Sequence, residues 1–219
     1  MTEGGAPARG RGRPRGPGVD AARRREELLD AAERAIGAMG TSVSLAEVAR
    51  EAGYARSAVY AAFSGKAEVL AALSERHAGI ILLEMFGRAT GEREPKSQFA
   101  AILDVLFAWA EERPQLYWAL IRPLNEDDTG PGLFDLLAGA IETMLGPAQA
   151  AAGRDAEMAA PGARAMMGSA IAAIEWWLRG GTAMPRAQLV GYLSDLAWHG
   201  GAGLPDGWMG ISVSGEPKT

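Results

Sequence analysis

The sequence predicts an all-α protein, with a small N-terminal helical unit ahead of a larger one. Three observations carry that prediction. Apolar residues recur at three- and four-residue steps along most of the chain. The steps are broken by Pro and Gly at Glu94-Pro95, Arg113-Pro114, Arg122-Pro123, Gly130-Pro131, Gly180-Gly181 and Met184-Pro185. No segment holds a two-residue alternation long enough to build a sheet.

Met1 to about Gly18 is rich in Gly, Pro and Arg and has no apolar periodicity, so it is expected to be disordered when free. A helix is expected from Asp20, which caps it, to Met39. Leu28, Leu29, Ala32, Ile36 and Met39 form its buried face. Gly40 ends it. Ser44-Leu45-Ala46-Glu47 then spells a capping box, in which Ser44 accepts from the backbone N–H of Glu47 and Glu47 reaches back. The helix so opened stops near Gly53, and a third begins around Arg56 with Val59 and Phe63 on one face. Ser64-Gly65-Lys66 separates it from the next. Further helices are expected over about 66–90, 97–112, 114–121, 132–151, 156–180 and 185–202. The implied organisation is an arm (1–19), a small domain (20–66), a helical domain (67–203) and a flexible tail (204–219).

Composition narrows the function classes. With 48% hydrophobic and 22% charged residues the chain has ordinary globular values. It has no cysteine, which fits a reducing cytoplasm. No apolar run reaches the roughly 18 residues of a membrane span, and the N-terminus does not read as a signal sequence. The net charge of -5 conceals an asymmetry: residues 1–70 hold 11 Lys+Arg against 9 Asp+Glu, and residues 71–219 hold 11 against 18. A basic N-terminal end on an acidic body suits an anionic partner, because binding follows the local field.

A short helix, a Gly-containing turn and a second short helix packed on a longer one make a helix-turn-helix. Here these are Leu45–Ala52, Gly53-Tyr54-Ala55 and Arg56–Phe63. On helix pattern alone, any tight helical hairpin is an equal reading. The residues favour the former. Ser44-Leu45-Ala46-Glu47-Val48-Ala49-Arg50-Glu51-Ala52-Gly53-Tyr54, followed by Val59-Tyr60, Phe63, Lys66 and Val69-Leu70, resembles the DNA-binding domain of the TetR/AcrR family of transcriptional regulators. The resemblance covers about residues 22–72. It implies that Tyr60 and Lys66 hold DNA phosphates, that the protein is a homodimer on a palindromic operator, and that its usual mode is repression relieved by a small-molecule effector. Lys66 near a helix N-terminus adds its charge to the positive end of the helix dipole.

The recognition helix departs from the family pattern at Ala55, Ala58, Ala61 and Ala62, where hydroxyl, polar or aromatic residues are usual. The exposed face that remains is Arg56, Ser57, Tyr60 and Ala61. Arg56 suits a guanine edge and Ala61 a thymine methyl. So thin a set implies reliance on the arm and on DNA shape. The arm, Arg9-Gly10-Arg11-Gly12-Arg13-Pro14-Arg15-Gly16-Pro17, resembles an AT-hook, whose arginines lie in a narrow minor groove; the alternative is a solvated tail. The expected DNA-facing set is therefore Arg11, Arg13, Arg15, Ser44, Arg56, Ser57, Tyr60 and Lys66.

Past residue 72 the resemblance weakens. The segment 114–120 resembles the family's short connecting helix, and the last two helices resemble its four-helix dimer interface, giving Ile174, Trp177, Leu189, Leu193 and Leu196 as expected contacts. Aromatics and methionines at helical spacing are more often core than ligand box. A sensing cavity nonetheless needs walls, and Trp109, Tyr117, Trp118, Met144 and Met167 are its candidates, implying a hydrophobic or aromatic effector. No cofactor or metal is expected. Catalysis is disfavoured: His77 and His199 are too far apart for a two-histidine metal motif, and there is no phosphate loop or nucleophile elbow. Asn125-Glu126-Asp127-Asp128 reads as an exposed loop. The remaining rival is an architectural protein that coats AT-rich DNA through the arm alone.

Overall fold

A computed structural model describes residues 17–121, 131–180 and 183–199 of the 219-residue chain. These residues form α1 (Pro17–Met39), a 3-10 turn (Gly40–Ser42), α2 (Leu45–Ala52), α3 (Arg56–Ala62), α4 (Lys66–Gly91), α5 (Pro95–Glu112), α6 (Pro114–Leu120), α7 (Leu133–Ala151), a second 3-10 turn (Ala156–Met158), α8 (Ala159–Arg179) and α9 (Arg186–His199). The all-α prediction holds, and the described residues contain no strand.

Two details differ from expectation. Helix α1 begins at Pro17, so Asp20 lies in its first turn rather than capping it. Proline suits a first helical position because it has no N–H to leave unpaired and its φ is already helical. Met39, expected on the buried face, is 39% exposed. Gly40 turns the chain at φ +69°, and Val43, beyond the 3-10 turn, is buried at this end of the core instead. The acidic cluster at 125–128, the tail at 204–219 and most of the arm lie outside the described residues.

The small domain folds because each short helix offers one apolar face to α1. Leu28, Leu29, Ala32 and Ile36 of α1 meet Leu45, Val48 and Ala49 of α2, then Val59 of α3 and Phe63 just after it. Helix α4 joins this core to the body. Val69, Leu70 and Leu73 are buried near its start, and Ile81 and Met85 further along it. The body is built by α4 against α5 and α7, α7 against α8, and α5 against α9. Pro95 and Pro114 each start a helix, so α5 ends where α6 begins and the chain turns there.

Candidate nucleic-acid interface

Helix α2 is opened by the capping box that the sequence spells. Ser44 N and Oγ each donate to Glu47 Oε2 at 2.8 Å, and Glu47 N donates to Ser44 Oγ at 3.4 Å. The backbone N–H and then the hydroxyl of Ser44 hold the Glu47 carboxyl below its ordinary value, so the box is intact at neutral pH. At the other end Gly53 adopts φ +70°, which lets the chain reverse into α3. The hydroxyl of the next residue, Tyr54, donates to Glu27 of α1. Arg24 lies 6.0 Å from the centre of the same ring.

Helix α3 has no side-chain cap at Ala55, where the family's usual hydroxyl is missing. Its far end is held instead by Arg25 of α1. That guanidinium donates to Ala62 O at 2.6 Å and to Glu68 Oε1 at 3.1 Å, and covers the Phe63 ring at 4.2 Å. Ser64 N and Oγ in turn bind Glu68 Oε2 at 2.8 and 2.9 Å, fixing the loop into α4. Nothing in the sequence pattern marks Arg25, Ser64 or Glu68 for this role.

With α3 so held, Arg56, Ser57, Tyr60 and Ala61 are all exposed. Tyr60, 49% exposed, accepts from Arg56 Nη2 at 3.3 Å, and the guanidinium lies 5.6 Å from its ring centre. The two residues one turn apart thus form a single cationic, aromatic edge on the outer face of α3. Lys66, the first residue of α4, is half-buried and donates to Thr41 O at 2.6 Å. Ser44 is exposed, with its hydroxyl already engaged in the capping box. Arg11, Arg13 and Arg15 lie outside the described residues.

The candidate effector residues are dispersed. Tyr117 and Met167 are packed in the core. Trp118 stands edge-on to Tyr117 at 5.1 Å, under Arg179 at 5.0 Å. Met144 is 44% exposed on α7. Trp109 is buried and borders a cleft of about 230 Å³ together with Glu33, His77, Arg88, Arg113 and Arg186. Of the expected dimer contacts, Ile174, Trp177 and Leu189 are already buried within the chain, and Trp177 Nε1 donates to Met184 O at 2.8 Å. Leu193 and Leu196 are half-buried. Trp176, Tyr192 and Trp198 of the same two helices are the large hydrophobic side chains left exposed.

Helices α2 and α3 on α1 form a helix-turn-helix, a motif that can lay its second helix in a DNA major groove, carried here by an all-α body. Residues 28–73 match the family model described as bacterial regulatory proteins, tetR family. The fold is shared with the fatty acid degradation regulator FadR from Bacillus halodurans, at TM-score 0.63 and 14% identity over 86% of this chain and 98% of that one. It is shared also with the transcriptional regulator FadR from Bacillus subtilis, solved with stearoyl-CoA, at 0.60 and 17% over 78% and 96%. SmeT, the repressor of the Stenotrophomonas maltophilia multidrug efflux pump SmeDEF, gives 0.56 and 25% over 80% and 89%. No curated protein matches the sequence. Residues 28–73 are therefore similar to the tetR-family DNA-binding domain, and the fold as a whole is one shared with these solved regulators.

Proposed function

We propose that this chain is a sequence-specific repressor that binds a palindromic operator as a homodimer in the cytoplasm and is released by a small-molecule effector. The observation that carries the reading is the exposed Arg56–Tyr60 edge on α3, with Lys66 beside it, the turn before α3 tied to α1 through Tyr54 and the end of α3 tied to α1 and α4 through Arg25. Rigid presentation of base-reading and phosphate-binding groups is what a recognition helix in a major groove requires. Arg11, Arg13 and Arg15 supplement it from the arm, in an adjoining minor groove.

Dimerisation is supported by the unpartnered aromatics Trp176, Tyr192 and Trp198 on α8 and α9. Two copies joined there would present two α3 helices to half-sites about 34–36 Å apart. Effector control is supported by α4, whose buried face belongs to both the small domain and the body, so a shift in one is felt by the other. FadR with stearoyl-CoA is a fold relative holding a large apolar ligand, which supports a hydrophobic effector here.

Selection of bound duplexes from a random DNA pool by the full-length chain tests the reading. A two-fold symmetric motif is expected. Enrichment of AT-rich DNA without symmetry would overturn it in favour of binding by the arm alone.

A further inference from the structure

Among the described residues, His77 is the only buried histidine. It lies on α4 between the small domain and the body, and its two ring nitrogens face opposite ways. Nδ1 accepts the indole N–H of Trp109 of α5 at 3.3 Å, with the ring centres 5.5 Å apart. Nε2 lies 3.4 Å from Glu33 Oε2 of α1, within ion-pair reach, yet makes no hydrogen bond. A nitrogen that accepts carries no proton, so the neutral ring must hold its hydrogen on Nε2.

A second proton therefore has one place to go, Nδ1. There it meets the Trp109 N–H head-on, and the hydrogen bond to α5 is lost. At the same moment the ring becomes a cation beside the Glu33 carboxylate. We propose that His77 is a proton-operated lock: neutral, it fastens α4 to the body through Trp109; protonated, it releases the body and fastens α4 to the DNA-binding domain through Glu33. The cleft that His77 and Trp109 border gives solvent protons a route to the ring.

The charged groups around the ring set where the lock turns. From α1 come Glu33, and Glu26 and Asp30, which hold Arg76 at 2.5 and 2.7 Å. From α4 come Arg76, Glu84 and Arg88, the last two paired at 3.0 Å. Glu112 and Arg113, paired at 2.7 Å, stand at the end of α5. Arg186 of α9 borders the cleft while bound to Asp104 and Glu111. Helix α7 also packs on α4, but its Asp135 and Glu142 do not border the cleft. Burial holds His77 below the ordinary imidazole value, Glu33 opposes that, and Arg113 and Arg76 reinforce it. The lock is closed at neutral pH and opens in acid.

The chain has two histidines, so His199→Gln leaves His77 as the single imidazole. Nitrogen-15 NMR of that full-length variant, titrated from about pH 8 to 5 across the ordinary value near 6.5, reads the ring directly. The expected result is an Nε2–H tautomer at neutral pH and a midpoint below the ordinary value. Trp109→Phe should move the midpoint up, because no N–H then opposes the proton. Glu33→Gln should move it down. An Nδ1–H tautomer, or two shifts of the same sign, would overturn the lock.

Its effect on DNA rests on the proposed function. Affinity for a selected duplex should change about fivefold or more over the titration range, and His77→Gln should abolish the change. Normal binding that ignores pH throughout that range would overturn the coupling. Absence of DNA binding at every pH would sink the proposed function instead, with the NMR result still deciding the lock.

Discussion

The ammonium group of Lys66 lies 2.6 Å from the carbonyl oxygen of Thr41, joining the first residue of α4 to the 3-10 turn after α1. One of its three N–H donors is spent there, which fixes the nitrogen in place and leaves the others for a phosphate. Lys66→Met should therefore weaken DNA binding by a similar factor on all duplexes, without changing the preferred sequence. The slope of log affinity against log salt should fall by about one. Anisotropy titrations at several salt concentrations check this; a change in the selected motif would contradict a phosphate role.

Gly40, next to Thr41, marks where the body touches the small domain. A Cβ on it would stand 2.7 Å from Gln115 Oε1 of α6, and its φ of +69° is left-handed. Gln115 is long and can swing aside, so the backbone strain is the larger penalty. Gly40→Ala should destabilise the fold by about 1–2 kcal/mol. Adding Gln115→Ala should recover little of it. Urea denaturation of the two variants checks the partition; full recovery in the double variant would mean that the steric contact dominates.

What could be read from the sequence follows the range of the interactions. The Ser44–Glu47 box spans three residues and is legible because both partners sit in one four-residue word. The helix breaks at Pro95 and Pro114 are legible for the same local reason. Arg25 with Ala62 and Glu68, Tyr54 with Glu27, and His77 with Trp109 lie 27 to 43 residues apart. Such pairs exist only after the helices pack, and nothing in the local pattern marks them. The aromatics of the body show the same limit: helical spacing identifies Tyr117 and Trp177 as apolar-face residues, but not that each is enclosed within its own chain.

Deletion up to residue 16 leaves α1 (Pro17–Met39) whole. Deleting residues 1–16 takes away Arg9, Arg11, Arg13 and Arg15. If each meets a phosphate or the minor groove, the salt slope should fall by as much as about 3–4, and affinity with it. The symmetric motif read by α3 should survive. Unchanged affinity would show that Arg56, Ser57, Tyr60 and Lys66 suffice alone.

Ser44→Ala removes the hydroxyl's two bonds in the capping box, leaves the backbone N–H to Glu47 Oε2, and should lower stability by about 1 kcal/mol at neutral pH. The pH dependence has a definite sign. The Glu47 carboxyl is held below its ordinary value in the fold, so its contribution is complete above the unfolded value, near 4.3, and is lost as pH falls through the folded one. The gap between variant and parent in thermal unfolding should therefore narrow in strong acid without closing, because the Glu47 N–H to Ser44 Oγ bond involves no titrating group. A gap of the same size at every pH would show that the Ser44 hydroxyl contributes nothing through this carboxylate.

His77 acts in a higher window, and by the opposite chemistry. Its neutral form is the one favoured by burial, so the unfolded chain takes up a proton more readily than the folded one. The linkage then requires stability to decline once pH drops below about 6.5, the unfolded value, and to keep declining until the folded ring also titrates. His77→Gln removes that uptake. Its unfolding midpoint should be flatter than the parent's between roughly pH 6.5 and 5, while the acid limb owed to Glu47 stays unchanged in both. Parallel curves for variant and parent across that interval would mean that the His77 ring titrates alike in the folded and unfolded chain, and that its burial between Trp109 and Glu33 carries no pH dependence.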